Sequence, residues 1–330
     1  MYIPEYSISS KTLKNIASIE YSKALIENST ILTHWEKQLE KEALARTIAF
    51  SWQFLGLNLP YETVKKIADG VEKSLPTEVL NLTNALQEVV TTSNSKDLDE
   101  QDLRNLHKAA SQNLLPTSKV GVYRSGRIKG ATDPEEILAE MVELIDWYNS
   151  LDAQETHPII KAGILKARLE MVIPFEKTNY IISNLATQIS LKAYGYDIRD
   201  FISLEPHYYN SKFMYEQLIQ SLMYNSPDLT RWLEFFTETM ADELSNIKDK
   251  VLLLARDTKV AKVSGRARLT ERQERIVEHL QDYGLLQNKD FTVLFPGISE
   301  DSILRDLKVL LNEGIIIKTG STKSSRYELH

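Results

Sequence analysis

Cysteine is absent from this 330-residue sequence, which removes disulfide frameworks, zinc fingers, iron–sulfur clusters and thiol nucleophiles together. Turn-formers are scarce as well. The 12 glycines and 10 prolines make up about 7% of the chain, against roughly 12% in average usage. Such a chain is largely helical, and an all-β sandwich is excluded. Long apolar runs are also missing: stretches such as Val251-Leu252-Leu253-Leu254-Ala255 fall far short of the roughly 18 residues of a membrane span. No membrane partner is expected. The opening Met1-Tyr2-Ile3-Pro4-Glu5-Tyr6 has neither the basic start nor the apolar stretch of a secretory signal, so the expected location is the cytoplasm.

What charge there is lies unevenly. Residues 256–330 hold 13 Lys+Arg and 11 Asp+Glu, whereas residues 1–255 hold 26 and 35, so the net charge of −7 divides into +2 and −9. The excess of the tail sits in Arg256, Lys259, Lys262, Arg266 and Arg268, opposed by Asp257. This pattern reads as a basic, solvated linker.

Before it, apolar residues recur at helical spacing, as in Trp35, Leu39 and Ala43 or Ile137, Met141, Leu144 and Ile145, which is the stripe that a helix buries against a core. Asp133-Pro134-Glu135-Glu136 predicts a helix start, with a helix to about Asn149. After the linker the pattern changes. Thr270 and Gln273 form a capping box ahead of Ile276, Val277 and Leu280. A short helix over 291–294 stops at Pro296-Gly297, and Ser299 caps a third helix that ends at Gly314. Ile315 to Lys318 and Ser325 to Leu329 then flank a turn, a β-hairpin in outline. Three helices and a hairpin make a winged helix.

Residues 157–195 carry the most specific pattern. Pro158 starts a helix, Pro174 breaks it, and Asn179 is placed to cap a second helix closed by Gly195. Around that break the chain reads Ile173-Pro174-Phe175-Glu176-Lys177-Thr178-Asn179-Tyr180-Ile181-Ile182-Ser183-Asn184. This resembles the Fic (Fido) family, whose motif runs His-Pro-Phe, any residue, Asp or Glu, Gly-Asn-Gly-Arg and a second Arg three positions on. The flanks agree: His157 to Ala162 is similar to the family's preceding helix, Gly121-Val122-Tyr123-Arg124 with Ile128 to its flap, and Trp232 to Phe236 to its closing helix.

The resemblance implies a mainly α, Fic-like helical domain followed by a winged helix-turn-helix domain. Residues 1–115 are expected to form the N-terminal helical part, 116–250 the Fic-like core, 251–268 the basic linker and 269–330 the winged helix. Family members transfer AMP from ATP to protein hydroxyls. Here Ile173 stands at the general base, Lys177 at the Mg²⁺-binding acid, Thr178 and Tyr180 at the two glycines, and Ile181 and Asn184 at the phosphate-clamping arginines. Isoleucine accepts no proton, and a positioned base contributes about 10²–10⁴-fold. An ammonium repels a divalent ion, and side chains obstruct a phosphate nest. Catalytic residues, ATP, Mg²⁺ and any other metal are therefore expected to be absent, while Pro174, Phe175 and Asn179 remain. Ser51, Leu55 and Gly56 fit the family's inhibitory helix with Leu55 in place of its Glu; Leu55 reads equally well as a core residue.

The expected function is that of a catalytically degenerate Fic protein acting by binding, a transcriptional regulator through its winged helix. Two alternatives stay open: a divergent AMP or nucleotidyl transferase, and a protein-binding scaffold using Val122, Tyr123, Arg124 and Ile128. DNA contacts are expected from Ser299, Ser302, Arg305 and Lys308 on the third helix and from Lys318, Lys323 and Arg326 on the wing. Glu300 and Asp301 oppose phosphate there. A docking or homodimer module is the competing reading, with Leu285, Leu286 and Phe295 as its apolar surface. Elsewhere, His157 reads as a helix-start residue, Glu170 and Glu176 as solvated helix-end acids, and His207-Tyr208-Tyr209 as packing aromatics or a peptide contact.

Overall fold

A computed structural model describes residues 2–72, 75–224, 227–263, 269–319 and 325–329. Of residues 257–263, 281–282 and 292 it gives the backbone alone. Lys323, Arg266 and Arg268, named above for DNA contact and for the linker, lie outside the described residues. The chain divides into two compact units, residues 1–29 with 37–252 and residues 30–36 with 253–330.

The helices up to the division are α1 (Ser10–Glu27), α2 (Thr33–Phe54), α3 (Tyr61–Ala68), α4 (Thr77–Thr92), α5 (Glu100–Ser111), α6 (Ile137–Asn149), α7 (Leu151–Glu155), α8 (Pro158–Val172), α9 (Asn179–Ala193), α10 (Glu205–Asn210), α11 (Lys212–Tyr224) and α12 (Thr230–Val263). Helices α8 and α9 form the centre of the larger unit. Both bury residues on every side, as a helix must when neighbours surround it. Helices α4 and α5 pack on α9, and α6 and α11 on α8. Gly163 lets α12 approach α8. The Trp232 indole donates to the Gly163 carbonyl at 2.8 Å, and a β-carbon at Gly163 would stand 2.9 Å from both Leu233 and Phe236.

Local differences from the sequence reading have simple causes. Helix α6 begins at Ile137 rather than Asp133, because Asp133-Pro134 closes a turn in which the Glu136 N–H donates to the Asp133 carbonyl at 2.9 Å. Residues 251–263, read as part of a linker, continue α12. Their spacing of Val251, Leu254 and Ala255 carries the helical stripe of the preceding turns forward.

The smaller unit contains α13 (Glu271–Tyr283), β1 (Leu286–Gln287), α14 (Phe291–Leu294), α15 (Glu300–Asn312), β2 (Ile316–Thr319) and β3 (Arg326–Leu329). The strands form an antiparallel sheet in the order β1-β3-β2. The capping box of Thr270 and Gln273 starts α13, and Gly284 ends it at φ +70, a conformation that favours glycine. Leu286 and Phe295, offered above as an outward surface, are instead buried in this unit's own core with Ile276, Leu280, Leu307 and Tyr327. Pairing of β1 with β3 turns Leu286 inward opposite Tyr327.

Candidate functional site

The connection between α8 and α9 carries two residues of strained backbone and is held by one buried arginine. Ile173 takes φ 48, ψ 63 and Thr178 φ 61, ψ 13, left-handed conformations that a β-branched residue adopts only when its surroundings impose them. Arg124 supplies much of that constraint. Its guanidinium donates to the carbonyls of Ile173 at 2.7 Å, Gly126 at 2.7 Å, Val172 at 3.2 Å and Thr132, and its own N–H donates to the Pro174 carbonyl at 3.0 Å. Two of those carbonyls end α8, where the helix dipole favours a cation. Arg124 is thus an internal staple and is buried.

Asn179 opens α9 but does not cap it. Its amide bridges the loop instead, Oδ1 accepting from the Phe175 N–H and Nδ2 donating to the Phe175 carbonyl, both at 2.8 Å. This pins Phe175, which is buried and stacks on the His107 ring at 4.1 Å between centroids. His107 Nδ1 accepts the Gly121 N–H at 2.9 Å, which leaves the proton of the neutral ring on Nε2. Burial pushes the His107 pKa down to about 4, with the Lys177 carbonyl acting in the opposite direction.

Of the remaining loop residues, Glu176 and Lys177 face solvent, with Glu176 paired to Lys119 at 2.6 Å. Pro174 and Thr178 are buried, and the Thr178 and Ser111 hydroxyls lie 2.9 Å apart. Tyr180 is buried with its ring stacked on Phe54 at 3.8 Å, and Ile181 is buried completely. Asn184 Oδ1 accepts from the Lys166 ammonium, which also donates to Ser183 at 3.1 Å and stands 3.7 Å from Glu170. Burial pushes the Lys166 pKa down to about 8, opposed by the charges of Glu170 and Glu205. Glu170 is therefore part of an internal cluster rather than a solvated acid, and it lies apart from exposed Glu176.

This geometry frames the comparisons with known proteins. Residues 97–191 match the Fic/DOC family model. The match runs from just before α5 to α9 and includes the loop. No curated protein matches the chain. Among solved structures, a Fic family protein from Desulfovibrio desulfuricans is similar over 100% of this chain and 98% of its own, at 21% identity and TM-score 0.65. A Fic domain containing signaling protein from Bacteroides thetaiotaomicron is similar over 74% of this chain and 98% of its own, at 19% identity and TM-score 0.59. Fic-1 from C. elegans is similar over 77% of this chain and 74% of its own, at 16% identity and TM-score 0.62. The chain shares their fold.

In the Fic/DOC region's surroundings the end of α2 departs from expectation. Ser51 is buried, but Leu55 is 43% exposed and Gly56 sits beyond the helix at φ +88. Leu55 is accordingly no core residue. The side chain that reaches α9 is Phe54, through its stack on Tyr180 and an edge contact with Tyr215. On the flap, Val122 and Ile128 are 47% and 39% exposed, whereas Tyr123 turns inward against Phe175 with the Arg104 guanidinium 4.1 Å over its ring. His157 caps α8, its Nδ1 accepting from the Ile159 N–H at 3.3 Å. Tyr208 is buried, His207 bonds Glu243 at 3.0 Å, and Tyr209 lies against Phe50.

In the smaller unit, Ser299, Arg305 and Lys308 are exposed and Ser302 half-buried on α15. Asp306 turns inward, accepting from Arg272 and from Gln273 at 3.0 Å, and Glu300 accepts from Asn288 at 3.0 Å. The strand register places Lys318 opposite Tyr327 and Arg326 opposite Thr319, so these two cations lie on opposite faces of the hairpin. No helix among the described residues is long and apolar enough to cross a membrane. Among the same residues no cluster of His, Cys, Asp or Glu suits a metal. Sequence reasoning missed Phe54, His107 and Lys166; for Lys166 a signal was present, a lysine between Ile164-Leu165 and Ala167 in α8.

Proposed function

We propose that this chain is a catalytically degenerate Fic-like protein that acts by binding, as a transcriptional regulator whose smaller unit is a winged helix. The observation that carries the first half is the packing at the nucleotide-facing positions. Ile181 is completely buried, Tyr180 is stacked on Phe54, and Asn184 is engaged by Lys166. Side chains that belong to the core leave no base, metal ligand or phosphate clamp there. Exposed Lys177 at the acidic position adds a charge of the wrong sign for Mg²⁺. The residues present do not fit Mg²⁺–ATP, and no transfer step is assigned to them.

The regulatory half draws support from the order α13-β1-α14-α15-β2-β3, the order of a winged helix, in which α15 would be the element that enters a DNA groove. Arg305 and Lys308 are exposed one turn apart, while Asp306 is neutralised internally by Arg272. Phosphate contacts by these cations and by Arg326 would make binding salt-dependent. About three neutralised phosphates correspond to a slope of roughly −3 in log affinity against log salt. A second reading, a scaffold that docks a protein at the flap, is favoured by the exposure of Val122 and Ile128 beside the fixed Arg124.

The test pairs two assays on the full chain. Labelled ATP should leave no label on the protein or on lysate proteins. A genomic-fragment screen at low salt should retain DNA, with Arg305→Ala relaxing sequence preference and Lys308→Ala weakening all sequences alike. Label incorporation that vanishes on altering residues 173–184 overturns the first half, and a screen that retains no DNA overturns the second.

A further inference from the structure

Most polar side chains at the start of α15 are already engaged within the smaller unit. The Ser299 and Ser302 hydroxyls lie 2.8 Å apart, Glu300 accepts from Asn288 at 3.0 Å, and Asp306 accepts from Arg272 and Gln273. Ile303 and Leu307 belong to the core. In the first two turns this leaves two polar side chains, Asp301 and Arg305. Both are exposed, and neither has a side-chain hydrogen bond or ion pair among the described residues. Four residues apart, they share one face of the helix, with about 5–6 Å between their β-carbons.

The charges of such a pair limit what it can recognise. Arg305 carries a planar fork of N–H donors, whereas the Asp301 carboxylate only accepts. A phosphate offers acceptors to the arginine but sets its own negative charge against the aspartate. A G·C pair seen from the major groove suits both side chains, because guanine O6 and N7 accept from an arginine fork and cytosine N4 donates to a carboxylate. An A·T pair suits them less: adenine sets an N6 donor beside its N7, which opposes the fork. Base pairs stack about 3.4 Å apart, so side chains one helical turn apart reach the same pair or adjacent ones. Lys308, a turn further on, is exposed with Leu304 and Arg305 rather than an acid in the turn before it, and its compact charge suits phosphate.

From this pattern we infer that α15 reads guanine through Arg305 and cytosine through Asp301, so that the DNA site of this protein contains a G·C pair contacted in the major groove. The inference rests on the reading of the smaller unit as a DNA-binding winged helix and adds to it the bases that are recognised. Asp301 opposes phosphate, and the same charge makes it a source of selectivity. A guanidinium in the groove still neutralises nearby phosphate charge, so the expected salt dependence stands.

Selection of duplexes from a random library by the full chain at low salt, followed by fluorescence anisotropy on an enriched duplex, tests the inference. The enriched sites should share a guanine. Replacing it by 7-deazaguanine, which lacks N7, should weaken binding about tenfold, the value of one charged hydrogen bond. Inosine, which lacks only the minor-groove amino group, should leave affinity within about twofold. Arg305→Ala should bind the guanine and 7-deazaguanine duplexes alike. Asp301→Ala should narrow the discrimination against A·T while binding unselected DNA more tightly. Both residues are exposed, so the fold tolerates both changes. A library from which nothing is retained overturns the DNA-binding reading and this inference together. Retained DNA without a shared guanine, equal sensitivity to 7-deazaguanine in Arg305→Ala and the unaltered protein, or discrimination against A·T unchanged in Asp301→Ala overturns this inference alone.

Discussion

Acidification should loosen the Fic-like unit through one side chain, His107. In the folded chain its pKa is pushed down from 6.5 to about 4 by burial. In the unfolded chain it titrates near 6.5. The folded value is the lower one, so the unfolded state binds the extra proton first. The neutral ring costs nothing above pH 6.5, and stability falls as pH drops from 6.5 toward 4. The loss amounts to about 2 kcal/mol at pH 5 and approaches about 3 kcal/mol at pH 4. Other groups titrate in this window, so the useful quantity is the difference between the protein and His107→Phe. Phenylalanine keeps an aromatic ring against Phe175 but leaves the Gly121 N–H without its acceptor, a loss of about 1–3 kcal/mol that does not vary with pH. Urea midpoints at pH 7, 6, 5 and 4.5 should therefore show the variant less stable at pH 7 and the gap closing, or reversing, toward pH 4.5. Proton NMR of the imidazole should give a His107 pKa well below those of exposed histidines. A constant gap across the series, or a His107 pKa near 6.5, refutes the reasoning.

Arg124→Ala should destabilise the same unit by about 3 kcal/mol, since four carbonyls lose a charged donor, and Arg124→Lys should recover little because an ammonium lacks the planar fork; chemical denaturation measures both. Gly163→Ala should cost about 1–2 kcal/mol, because crowding of Leu233 and Phe236 at 2.9 Å outweighs the gain of about 1 kcal/mol in helix propensity. A variant of higher melting temperature would contradict that balance. Asp306→Ala should raise amide exchange in α13 and α15, which lose the bonds to Arg272 and Gln273, and should leave α8 and α9 unchanged.

Much of the fold was legible because helices announce themselves locally. The spacing of apolar residues, the prolines at 158 and 174, and the box of Thr270 and Gln273 place α8, α9 and α13 without reference to anything distant. What was not legible depends on contacts far apart in sequence. Strand β1 has two residues, too few for any alternation to appear, and only its pairing with β3 makes it a strand. Its discovery turns Leu286 from an outward surface into core. Asn179 carries the side chain of a good N-cap, but Phe175, four residues earlier, offers both a donor and an acceptor at the right separation. Residue type alone does not choose between those partners. The candidate site was partly readable in the same sense: the Pro174-Phe175…Asn179 frame located the loop, whereas Arg124, read as an element of a binding flap, proved to be the group that fixes the loop from within.

The residues of this loop and of α9 also depend on one another physically. Ile181 occupies a position without solvent, so an arginine there would need a buried anion beside it, and Leu55, the α2 position that the resemblance pairs with Asn184, faces outward. Near the end of α2, Phe54 stacks on Tyr180 of α9 at 3.8 Å. Asn184, at the other clamp position, accepts from Lys166, so the cation on this side comes from α8 rather than from the motif. A charged residue at Ile181 would be buried and unpaired, a cost of several kcal/mol. The loop and the start of α9 are therefore a self-consistent packing arrangement, in which Phe175 and Asn179 set the shape through their paired hydrogen bonds.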